Sequence, residues 1–153
     1  MNKNFGKKNA NYKQGIFSPK NKLKYKGSFP IIYRSGLELK AFRYLDNNPN
    51  VITWGSESVI IPYMSPHDKK IHRYFVDLVA ELKSKDGTTK KLLIEVKPEK
   101  QTRPPVFSER KKQKTLIYEK YTFGINTAKW DAARAWCKAK NYTFIILNEK
   151  HLR

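Results

Sequence analysis

Apolar residues change their period several times along this 153-residue chain, and each change marks an element. Leu37, Ala41, Phe42 and Leu45 recur at helical spacing, which predicts a helix from Ser35 to about Asp46 that Asn47-Asn48-Pro49-Asn50 stops. Val51-Ile52-Thr53-Trp54 and Ser58-Val59-Ile60-Ile61-Pro62 then read as extended chain, a strand or bent hairpin. After the turn Pro66-His67-Asp68, one long strand is predicted from Ile71 to Leu82. Asp86-Gly87 supplies a hairpin turn, and Lys91 to Lys97 forms the returning antiparallel strand. Pro104 and Pro105 interrupt a basic stretch from Lys100 to Lys114, read as a loop leading into a helix near Ser108. A second clear helix spans Thr127 to Lys140, with Trp130, Ala133 and Cys137 on one stripe, closed by Asn141. Tyr142 to Leu147 is short and β-rich, as a buried strand would be.

Two acids violate this pattern. Asp77 stands in the apolar run Tyr74-Phe75-Val76-Asp77-Leu78-Val79, and Glu95 in Leu92-Leu93-Ile94-Glu95-Val96-Lys97. Taking an ionised carboxylate out of water without a partner costs several kcal/mol or more, so two of them on paired strands point to a shared counter-charge, most simply a metal ion. Side chains alternate along a strand, which puts Glu95 and Lys97 on the face of Leu93, and Ile94 and Val96 on the other. Mg²⁺ is bound by one or two carboxylates and takes further oxygens from water and phosphate, a demand that Asp77 and Glu95 meet. Lys97 would orient water or stabilise charge on the phosphorane. Without Asp77, Glu-x-Lys would read as the solvated face of an alternating strand. Glu38 has two readings: on the apolar helix face it reaches the same site and holds a water there, while Ser35-x-x-Glu38 is also a capping box.

Charge narrows the partner. Lys and Arg number 32 against 13 Asp and Glu, a formal charge of +19 that fits a protein resting on a polyanion, nucleic acid first. No apolar run approaches the roughly 18 residues of a membrane span, so a membrane partner is not expected. No acid precedes Glu38, and lysines alternate there with Phe5, Tyr12, Phe17, Tyr25 and Phe29. Residues 1–30 are read as a basic arm with little structure of its own, and 31–153 as the one catalytic domain. His67, His72 and His151 are too scattered for a metal site, Gln101 belongs to a loop, and Cys137 packs in the core. That lone cysteine, and an N-terminus without an apolar signal, suit a reducing cytoplasm.

These residues resemble a PD-(D/E)XK nuclease, in which a helix acid, a strand Asp and a Glu-x-Lys surround the metal. Four ordered blocks carry the likeness further: Tyr33-Arg34-Ser35-Gly36-Leu37-Glu38-Leu39-Lys40, Asn50-Val51-Ile52-Thr53-Trp54-Gly55-Ser56-Glu57, His72-Arg73-Tyr74-Phe75-Val76-Asp77 and Ile94-Glu95-Val96-Lys97-Pro98. Together they resemble the head-completion nuclease family of tailed myovirus-type phages, itself similar to the catalytic domain of the TnsA transposon nuclease. The resemblance implies a single α/β domain, a central mixed β-sheet flanked by helices, and a Mg²⁺-dependent deoxyribonuclease in which Mn²⁺ can substitute. It implies Glu38, Asp77, Glu95 and Lys97 as catalytic residues, with Asp77 and Glu95 on the metal. The implied task is processing packaged DNA at a filled capsid before head–tail joining, in the host cytoplasm or within the virion. DNA and the portal or connector proteins would be the partners. A transposase-associated or restriction-type endonuclease would use the same chemistry. A non-catalytic basic virion protein would explain the charge and leave Asp77 and Glu95 unexplained.

Overall fold

The computed structural model describes residues 14–153. Its centre is a four-stranded mixed sheet in the order β3-β6-β7-β8, formed by β3 (Val51–Ser56), β6 (Leu78–Lys83), β7 (Thr89–Val96) and β8 (Thr143–Leu147). β6 pairs antiparallel with both β3 and β7, while β8 runs parallel to β7, with Glu95 opposite Ile146. Two small antiparallel ribbons complete the strands: β1 (Gly15–Phe17) with β2 (Ile31–Tyr33), and β4 (Ile60–Met64) with β5 (Ile71–Phe75). Helices α1 (Gly36–Asn47) and α2 (Gln113–Lys140) complete the α/β fold.

Each face of the sheet has its own core. On one side Ala41, Phe42 and Leu45 of α1 pack with Trp54, Leu78, Ile94 and Val96. Fully burying a side chain the size of Phe42 contributes roughly 1.5–3 kcal/mol. On the other, Trp130, Ala133 and Cys137 of α2 meet Leu93, Tyr74, Val76 and Ile61. The pleat of β7 thus sends Leu93 to the α2 side and Ile94 and Val96 to the α1 side, as alternation demands. The hairpin before β7 closes at Gly87, whose φ of 87° suits glycine, and Asp86 Oδ1 accepts the N–H of Thr88. Asn141, with φ 61° and ψ 42°, ends α2 in the left-handed conformation.

Five expectations change. The strand predicted from Ile71 to Leu82 is two strands, β5 and β6, separated at Val76-Asp77. Nor do β3 and β4 form a hairpin: β3 pairs with β6 and β4 with β5, so both chains leave one sheet for another at the same level. The two helices expected after Pro105 are one, Gln113–Lys140, and β8 is a half-buried edge strand.

The fifth concerns the basic arm. Residues 1–13 lie outside the described residues. Residues 14–30 do not stand apart: Phe17 and the buried Tyr25 pack around Trp54, with Phe17 5.6 Å from Phe42 and Tyr25 4.8 Å from Trp54 between ring centroids. Lys26 N–H donates to the Trp54 carbonyl at 2.8 Å, which covers the free edge of β3. The buried carboxylate of Asp46 accepts the backbone N–H groups of Lys20 and Asn21 at 2.8 and 3.1 Å. Lys24 Nζ donates to the carbonyls of Asp46 and Asn48 at 3.0 and 2.7 Å. Basic composition suggested a solvated tail here, yet the aromatics interleaved with the lysines anchor the segment.

Candidate active site

Asp77 owes its position to the broken strand. Glu57, at the bend between β3 and β4, takes φ 52° and donates its N–H to the Asp77 carbonyl at 3.0 Å, while Val76 N–H donates to Val59 O at 3.0 Å. Three residues, Glu57 to Val59, oppose two, Val76 and Asp77, and an irregularity of this kind re-aims a side chain. Asp77 Oδ2 accepts the N–H of Val96 at 2.8 Å, across from Glu95. The last β6–β7 pair is Leu78 with Ile94, so one further step sets Asp77 opposite Glu95.

Glu95 is 5% exposed and held at both oxygens. Oε2 accepts the hydroxyl of Tyr74, from β5, and Oε1 lies 3.4 Å from Lys97 Nζ. Burial, and then the charge of Glu95, push the Tyr74 phenol far above its ordinary range, so it stays a hydrogen-bond donor. Glu38 sits in the first turn of α1, where its N–H donates to Ser35 Oγ at 3.1 Å. Its Oε2 accepts from Arg34 N at 2.8 Å, one residue before the partner a capping box would use. Arg34 is ion-paired through its guanidinium to Glu57, which ties the start of α1 to the bend carrying Asp77.

The electrostatics bind these acids into one group. Burial, then Glu95 and Glu38, raise the Asp77 carboxyl well above its usual range. Burial also raises Glu38, with Glu57 and Glu95 adding to it against the Arg34 contacts. Carboxylates that disfavour one another's ionisation in a partly dry site call for positive charge. Lys97 supplies some. The structure adds Lys129, which sequence reading missed, from α2: its Nζ lies 5.7 Å from the Tyr63 ring centroid and 5.6 Å from that of Tyr74. Burial lowers its pKa, while Glu95 and Asp77 oppose the fall. Tyr74 also escaped the sequence reading. The available signals were a phenol on an apolar strand and a lysine beside Trp130 in an alanine-rich helix.

Asp77, Glu95, Lys97 and Glu38 thus come together, while the other candidates stay apart. His72 pairs with Asp68 at 2.7 Å, His67 meets the Tyr121 ring, and His151 Nδ1 accepts from Asn148 N–H at 3.1 Å. Cys137 is buried, and Gln101 is exposed in the 3₁₀ turn Glu99–Thr102. Among the described residues no group of three or more His, Cys, Asp and Glu is arranged to hold a metal unaided. Asp77 and Glu95 offer what a divalent ion such as Mg²⁺ takes from protein, one or two carboxylates shared with water and phosphate oxygens. No described helix is long and apolar enough to cross a membrane.

Comparison with known proteins gives the family. Residues 48–149 match the family described as TnsA-like endonuclease N terminal, a span that holds Asp77, Glu95 and Lys97 and begins after Glu38. The chain is also 40% identical over 143 residues to the head completion nuclease of Enterobacteria phage T4, covering 91% of this chain and 93% of that protein. With two-thirds of its length in that family and near-complete coverage of such a relative, the chain belongs to the phage head-completion nucleases of the TnsA-like endonuclease class, and is a deoxyribonuclease.

Proposed function

We propose that the chain hydrolyses DNA phosphodiester bonds with Mg²⁺, or Mn²⁺ in its place, at Asp77, Glu95, Lys97 and Glu38. The observation that carries this is the convergence of Asp77 and Glu95 on adjoining strand ends, with Lys97 3.4 Å from Glu95 Oε1. A divalent ion held by the two carboxylates would polarise the phosphodiester and lower the pKa of water. Tyr74 and Lys97 fix the two oxygens of Glu95, and the Val96 N–H fixes Asp77, so the carboxylates are oriented before anything binds. Lys97 brings a compact charge to the phosphate oxygens. Lys129 adds a second cation, restrained between two tyrosine rings. Glu38 accepts a hydrogen bond from the attacking water and aligns it.

Likeness to a protein named head completion nuclease supports a setting in phage assembly in the host cytoplasm; the task we propose there is processing packaged DNA before head–tail joining, with portal or connector proteins as partners. A transposon or restriction role would share the chemistry, but the 40% identity favours the capsid setting. Incubation with supercoiled plasmid tests the chemistry. Cleavage should require Mg²⁺, stop with chelator, and fall at least about a hundredfold in Glu95→Ala. Glu38→Gln separates the readings of Glu38, since glutamine still accepts the Arg34 N–H: a sharp loss of turnover with no fall in Tm marks a site carboxylate. Full activity would return Glu38 to the helix start.

A further inference from the structure

A cavity of about 500 Å³ lies between residues 100–106 and the first half of α2. We propose that it receives an unpaired nucleotide of the DNA strand being cut, making ends or junctions with single-stranded character the preferred substrates. This rests on the nuclease reading of the neighbouring site. The volume falls in the range of pockets that enclose small molecules and excludes a duplex. Tyr118 and Phe123 offer aromatic surface; of the lining cations Lys111 is paired with Glu119 at 2.8 Å and Arg103 with Glu99 at 3.5 Å, and Lys100 leaves the cleft net positive. Stacking surface with cationic surroundings is how proteins take single strands, since every base has a π-face and every linkage a phosphate.

Position joins this cleft to the acids. One wall begins at Lys100, three residues after Lys97. The other includes Asn126, buried and one helical turn before Lys129, whose charge interacts with Glu95 and Asp77. A strand laid across Lys129 toward Lys97 therefore passes the cleft mouth, where the Asn126 amide offers a base edge both a donor and an acceptor. Apolar surface is left open along the cleft: Val106 is 73% exposed and Tyr118 67%, and Phe107, next to Val106 in the chain, is 72% exposed. A charged chain that exposes such a cluster beside its active site has a partner for it. Charge complementarity selects a nucleotide over an apolar peptide.

The full-length protein, in chelator so that nothing is cut, can be titrated with short duplexes that are blunt or carry a 2-aminopurine overhang. Wild type should bind the overhang about tenfold tighter than the blunt duplex and quench the fluorescent base. Tyr118→Ala should bring the overhang's affinity down to that of blunt duplex and abolish the quench, while Tyr118→Phe, which keeps the ring, retains both. Tyr118 is exposed, so a matching Tm verifies that each variant is folded. Equal affinities in wild type, or a quench that survives Tyr118→Ala, would overturn the proposal and leave the cleft to a protein segment. Because binding is read without metal, this outcome is independent of whether the acidic site cleaves.

Discussion

Asp77 joins a cost of burial to the function proposed for it. Its carboxyl is raised by burial and by Glu95 and Glu38, so the folded protein binds its proton more tightly than the unfolded chain does. Between the ordinary carboxylate pKa and the raised one, the native state holds more protons than the unfolded state, and stability falls as pH rises. Asp77→Asn removes that dependence and keeps an oxygen to accept the Val96 N–H. We expect the metal-free variant to melt above wild type at neutral pH, with the gap closing as the pH drops toward 4. A variant that melts below wild type at neutral pH would show that Asp77 is held ionised by compensation not recognised in its surroundings. Asp77, Glu95 and Lys97 were legible because acids inside apolar runs are rare. Tyr74 and Lys129 were not, because their roles exist only once β5 and α2 are laid against β7.

At the scale of elements, the short-range signals read well and the long-range ones did not. Ser35, the apolar stripe of α1, Asp86-Gly87 and Asn141 each act within a few residues, and each stands where its chemistry requires. The break at Val76-Asp77 has no such signal: no Gly or Pro lies between Ile71 and Leu82, and the matching irregularity is at Glu57, in the bend between β3 and β4. Helix α2 was split by the sequence reading because its first turns leave Ile117 and Tyr118 exposed and so show no clean stripe. The 14–30 segment depends on Asp46 in the same non-local way. Asp46→Ala would leave the backbone N–H groups of Lys20 and Asn21 without their acceptor, so we expect a loss of about 1–3 kcal/mol in urea unfolding. A loss below about 0.5 kcal/mol would mean that aromatic packing alone holds the segment.

For the whole molecule, a formal charge of +19 sets the affinity for DNA and its sensitivity to salt. Residues 1–13 carry Lys3, Lys7, Lys8 and Lys13 and no acid. Their removal should make the salt slope of DNA binding shallower, by at most about 4. An unchanged slope would show that these lysines make no phosphate contact. Removal of residues 1–26 should instead unfold or strongly destabilise the protein, because Phe17 and Tyr25 leave the Trp54 core. The central claim is that Asp77 and Glu95 hold the divalent ion at which DNA is cut. A crystal soaked in Mn²⁺ and measured at the manganese edge tests it most directly. The account predicts an anomalous peak between the two carboxylates, within about 2.0–2.4 Å of an oxygen of each and absent in Asp77→Asn. A peak elsewhere, or one that persists in Asp77→Asn, would contradict it.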